Sequence, residues 1–101
     1  MKYIMIHKQL DEDQAVTYPI IFPNELNHCD IADQVLALLK TQYPKINISV
    51  VSAGFINLDN CKTYGHSETL NLQSGETDYL RIRLRDYFMF DEVKKPFKIK
   101  S

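Results

Sequence analysis

Along the chain, apolar positions fall into short alternating runs separated by polar turns, with one stretch that shifts to a helical period. Residues 2–7 (KYIMIH) are rich in β-formers and stop at the acidic run DEDQ, which reads as a loop. Residues 16–23 (VTYPIIFP) form a second predicted strand, whose two prolines suit a sheet edge or a strand end. The two runs can pair as a hairpin. Ile31, Val35, Leu38 and Leu39 then recur at i, i+4, i+7 and i+8, the stripe of an amphipathic helix that Asn24 or Asp30 can cap and Pro44 limits. In KINISVVSAGFINL, Ile46, Ile48 and Val50 alternate, and Val51, Ala53 and Phe55 continue one step out of phase. That slip predicts a long central strand with a bulge or bend near residues 52–54. DNCKTYGHS reads as a loop by composition, and ETLNLQ as a short strand ahead of Ser74 and Gly75.

Residues 79–88 (YLRIRLRDYF) hold every arginine of the chain and fit two periods. At period two, Leu80, Ile82 and Leu84 face a core and Arg81, Arg83 and Arg85 line the other side, roughly 7 Å apart. At period 3.6, Leu80, Leu84, Tyr87 and Phe88 make one stripe, Arg81 and Arg85 share a flank, and Arg83 points elsewhere. Local chemistry leans to the helix, since Ser74 or Thr77 can cap it and Glu76 and Asp78 place negative charge in its first turn. In the remaining PFKIK, Phe97 and Ile99 alternate as a possible final strand.

These elements predict a single α+β domain spanning residues 1–101. Its antiparallel sheet is expected to be single-layered, with two helices on one face, in the order ββαββα with a possible short C-terminal strand. A chain of 101 residues, 45% apolar and 25% charged, is long enough to close one hydrophobic core. The net charge of −1 argues against affinity drawn from neutralising many phosphates, so nucleic acid is an unexpected partner. No apolar run reaches the roughly 18 residues needed to span a bilayer, and the first residues turn acidic after one short apolar segment, unlike a secretory signal. A cytoplasmic protein is expected. Cys29 and Cys61 are too few for a disulfide framework and read as free thiols.

The wording and order of IIFPNELNHCDIADQV, VVSAGF and GHSETLNLQS resemble an uncharacterised group of small proteins encoded in tailed-bacteriophage genomes. The likeness covers residues 20–80, with departures at Cys29 and at residues 75–77. It implies a phage or prophage origin, with the host cytoplasm as location, and a helix after Ser74. It implies no reaction and no catalytic residue.

The candidate chemistry is sparse. His28-Cys29 with Cys61-x4-His66 carries zinc-compatible atoms, but adjacent residues seldom both reach one ion, so no metal is expected. There is no Walker loop, GxGxxG or nucleophile elbow, and no cofactor is expected. Residues 64–70 (YGHSETL) are the best ligand candidate. Gly65 permits a turn that gathers His66, Ser67 and Glu68, the small Ser52 and Gly54 allow close approach to the neighbouring backbone, and His28, Arg81 and Arg85 can join them around a nucleotide-like anion. A hairpin turn in which His66 and Ser67 bond local backbone is the competing account. Tyr87, Phe88 and Phe90, with Phe97, supply more aromatic surface than a short helix buries and suit a protein interface. The first functional expectation is a non-enzymatic accessory protein of phage type, a homodimer that binds a host or phage protein, with inhibition of a host process or defence system as one form of that action. A small-ligand binding module is the alternative, and a hydrolase using Cys61 or Ser67 with His66 the weaker one.

Overall fold

β1 (Lys2–Gln9) is the centre of the molecule in the computed structural model, which describes residues 1–83 and the backbone of Tyr87–Met89 and Lys98–Lys100. β2 (Ala15–Phe22) pairs with it antiparallel on one side, as the predicted hairpin, and β3 (Asn47–Asn57) antiparallel on the other. Tyr3, Ile4, Met5 and Ile6 are each at most 2% exposed. A strand covered on both faces has no polar side to show, so this run is apolar at every position.

β4 (Lys62–Tyr64) pairs with β3 and completes a four-stranded antiparallel sheet, β4-β3-β1-β2. With α1 (His28–Gln42) and α2 (Asp78–Arg83) it makes an α+β fold whose order follows ββαββα, the second ββ unit being elaborated by a separate hairpin of β5 (His66–Ser67) and β6 (Leu72–Gln73). β7 (Tyr87–Met89) adds parallel to β2, and β8 (Lys98–Lys100), the expected C-terminal strand, pairs antiparallel with β7. The ladder to β7 starts at Ile20, just past Pro19, which has no N–H to give. β2 is therefore an inner strand, not an edge.

The helices do not share a face. Ile4, Ile6, Tyr18, Ile20 and Phe22 pack with Ile31, Ala32, Val35 and Leu39 of α1. Tyr3, Met5, Ile21 and Ile56 pack with Ile82 of α2. Both parities of β1 and β2 are apolar, so each face of the sheet needs its own cover, and the expectation of two helices on one face is corrected on that ground. α1 buries Ile31, Val35 and Leu39 of the predicted stripe, with Ala32 in place of the half-buried Leu38, and its cap is Asn27, whose Oδ1 accepts from the Cys29 and Asp30 amides at 2.7 and 3.4 Å. Neither Asn24 nor Asp30 takes that place.

The slip in β3 is a bulge. Ile6 lies opposite Val50 and Met5 opposite Ser52, which leaves Val51 as the extra residue, one position before the expected span. Before it, Ile48 and Val50 face α1; after it, Ala53 does, while Ser52 and Ile56 turn to the α2 side. The segment expected as a loop is more ordered than its composition suggests. Asn57 and Asn60 accept the Asp59 and Lys62 amides at 3.0 and 3.2 Å, closing a tight turn into β4 with Cys61 at φ 55°. Conversely, residues 68–71 of the expected strand are a turn, and only Leu72 and Gln73 extend. The run from Tyr79 divides: helix to Arg83, strand at Tyr87–Met89, with Leu84, Arg85 and Asp86 outside the described residues.

Candidate functional site

The β3–β4 hairpin places Phe55 opposite Tyr64, and their rings stack at 5.7 Å with 20° between planes. Tyr64 is 55% exposed, so the outer face of the pair is open. Behind it His28 stands edge-on between Phe22 and Phe55, at 5.4 and 5.7 Å. The rings of His28, Phe55 and Tyr64 form one wall of a cleft of about 420 Å³, completed by Lys2, Asn27, Gly65, His66, Glu68 and Thr69. Its size suits a small molecule.

His28 is the first residue of α1 and is buried; its Nε2–H donates to the Gly54 carbonyl at 2.8 Å. Burial lowers its pKa, the Gly54 bond opposes that shift, and the Lys2 charge adds to it. The ring is thereby held neutral near pH 7. Lys2 Nζ donates to Leu26 O at 2.7 Å and keeps its other ammonium donors for the cleft. Asn27 brings the positive end of the α1 dipole to the same wall. Thr69 Oγ1 donates to Asn27 Oδ1 at 3.4 Å, which ties the β5–β6 turn to the helix cap. His66 and Glu68, exposed at the rim, lie 3.8 Å apart.

Gly54 is where this cleft meets the opposite face. A Cβ there would sit 2.6 Å from Tyr64 O and 3.1 Å from Ser74 Cβ, so the approach of β4 and the chain at Ser74 requires glycine. Beyond that wall is a larger cleft of about 620 Å³ lined by Asn60, Cys61, Lys62, Thr63, residues 74–76, Tyr79 and Arg83. Beside it Asp78, which is buried, accepts at Oδ2 from Tyr3 Oη, from Ser52 Oγ at 2.7 Å and from the Gly75 amide at 2.8 Å. Burial first, then the Asp78 carboxylate, push the Tyr3 phenol far above its ordinary pKa. Tyr3 is thus a fixed donor, and the cluster fastens α2 to the sheet.

Of the residues singled out from the sequence, His28, His66 and Glu68 meet in the first cleft, with Gly54 as the acceptor behind His28. Ser67 is buried, and its Oγ accepts the Leu70 amide at 3.2 Å, as in the local-turn account. Ser52 is on the other face with Asp78, and Arg81 is exposed on α2, so neither joins the cleft. Arg85, Phe90 and Phe97 lie outside the described residues, and of Tyr87 and Phe88 only the backbone, in β7, is described. Cys29, on α1, has its thiol pKa raised, chiefly by Asp33; Cys61 packs against the opposite core and donates to Tyr79 O at 3.4 Å. Both are free, and among the described residues no three His, Cys, Asp or Glu gather as a metal site. Tyr64 and Thr69 lie within the stretch singled out from the sequence but had no role assigned there, and Lys2, Asn27 and Phe55 were not visible as site residues. The only signal for them was the pairing of Phe55 with Tyr64 that a tight turn at residues 58–61 would impose. Among the described residues no helix is long and apolar enough to cross a membrane. No protein-family model, curated protein or solved structure matches the chain.

Proposed function

We propose that the protein is a non-enzymatic binding module for a small anion that carries a flat ring, of the nucleotide kind, held at the N-terminal end of α1. The observation that carries this reading is the Tyr64 ring, stacked on Phe55 and open to the cleft, beside the Lys2 ammonium and the positive end of a 15-residue helix. A ring stacks on Tyr64 while its anionic group meets Lys2 and, when protonated, His66. Binding without turnover is the simpler account, because His66 shares no hydrogen bond with Ser67 or Cys61, and Ser67 Oγ already serves the turn.

Titration with adenosine monophosphate, followed by amide NMR, tests the proposal. Shifts are expected at Asn27, Phe55, Gly65 and Thr69, weakened at least tenfold in apparent affinity by Tyr64→Ala or Lys2→Ala. Absence of shifts at millimolar nucleotide, or shifts indifferent to both substitutions, would overturn it.

A further inference from the structure

Resting on that reading of the cleft, we infer that His28 reads the ligand's ring: its Nδ1 accepts a hydrogen bond from a ring amino group, so the site selects amino-substituted heteroaromatic rings over their oxo counterparts.

A carbonyl oxygen can only accept, so the 2.8 Å contact with Gly54 O assigns a proton to Nε2. In a neutral imidazole the lone pair is then on Nδ1. Nδ1 has no hydrogen-bond partner among the described residues, although His28 is only 5% exposed. No described buried side-chain nitrogen or oxygen lacks a partner, so Nδ1 reaches solvent, and the cleft is the space His28 lines. The result is a preorganised acceptor in a largely dry wall. The two edge-on rings of Phe22 and Phe55 prevent the imidazole from turning away.

The charged and titratable groups around it act consistently. Lys2, Tyr64, His66 and Glu68 line the same cleft, and the Lys2 charge and burial both oppose protonation of the imidazole. His28 therefore stays an acceptor near neutral pH. A ligand that places an amino group against Nδ1 completes the bond, whereas one that places a carbonyl there sets two lone pairs against each other. A site built around such a contact disfavours the mismatched analogue, because that analogue covers the acceptor and leaves it unpaired.

Adenosine and inosine monophosphates share ribose and phosphate and differ in the ring, an amino group beside a bare N1 against an oxo group beside an N1–H, so the ratio of their affinities isolates the ring from Lys2, His66 and the ribose hydroxyls. Calorimetric titration at pH 7.5 is expected to give adenosine monophosphate an advantage of about tenfold. The monophosphate of purine riboside, which lacks both the amino group and the N1–H, should lose the same advantage. His28→Phe, which keeps an aromatic ring but no acceptor, should bring the ratio close to one. Should that variant fail to fold, long-range 15N spectra of the wild-type protein decide: Nδ1 of His28 should show the bare-lone-pair resonance and move on addition of adenosine but not inosine monophosphate. Equal affinities, or an Nδ1 resonance indifferent to both nucleotides, overturn the assignment while leaving the binding-module reading in place. Failure of both nucleotides to bind removes the two readings together.

Discussion

Asp78 and His28 are the two buried polar residues on which the most geometry converges, and each makes a prediction. Replacing Asp78 by Ala strands the Tyr3 hydroxyl, the Ser52 hydroxyl and the Gly75 amide at once, and should cost about 3 kcal/mol in urea-unfolding stability. Asp78→Asn keeps an acceptor and should cost about half as much. For His28 the folded-state pKa lies below the unfolded value of 6.5, so in that interval the unfolded chain binds more protons than the folded one. Its contribution is complete above about pH 6.5 and declines on acidification, by at most about 1.4 kcal/mol per pH unit. His28→Gln keeps a donor for Gly54 O and does not titrate. The stability gap between wild type and His28→Gln, measured by urea midpoints from pH 7.5 to 5, should therefore move against the wild type as pH falls. Neither role was legible in the sequence. An aspartate in a first helical turn already has a sufficient local explanation, and its partners Tyr3 and Ser52 are 75 and 26 residues away.

At the scale of elements, the sequence displays what repeats locally and hides what depends on meeting. The α1 stripe of Ile31, Val35 and Leu39 is a property of one helix and was readable as such, and so was the phase slip at Val51. The helix at Asp78–Arg83 followed by a strand at Tyr87–Met89 was not, because Leu80 and Ile82 satisfy either period and the strand depends on β2 offering Ile20 and Ile21 as partners to Phe88 and Met89. The Tyr64 cleft was half legible. The motif around Gly65 was found, while its aromatic wall depended on the turn that sets Phe55 against Tyr64. Gly54 also belongs to this scale, since it spaces β3 from β4 and from the chain at Ser74. Gly54→Ala should destabilise the protein by about 2 kcal/mol, by overpacking against backbone that cannot swing aside. Thermal or urea unfolding would show it, and a neutral result would mean that the Tyr64 carbonyl moves freely.

For the molecule as a whole, the decisive feature is that β1 lies between two strands and beneath two helices, one on each face. Amide exchange should be slowest at Ile4 and Met5 and reach the global unfolding free energy there, while α2, only six residues long, exchanges by local opening. Comparable protection across α2 would contradict that order. Val51 has a further consequence when many copies share a solution. β4 pairs only with Phe55–Asn57, so among the described residues the outer edge of β3 before them carries no ladder. An open, flat edge invites a second chain, and an extra residue in mid-edge spoils the register such a chain would need. The same residue that turns Ser52 toward Asp78 thereby discourages fibril-like stacking, and a protein lacking Val51 would be expected to lose solubility along with stability.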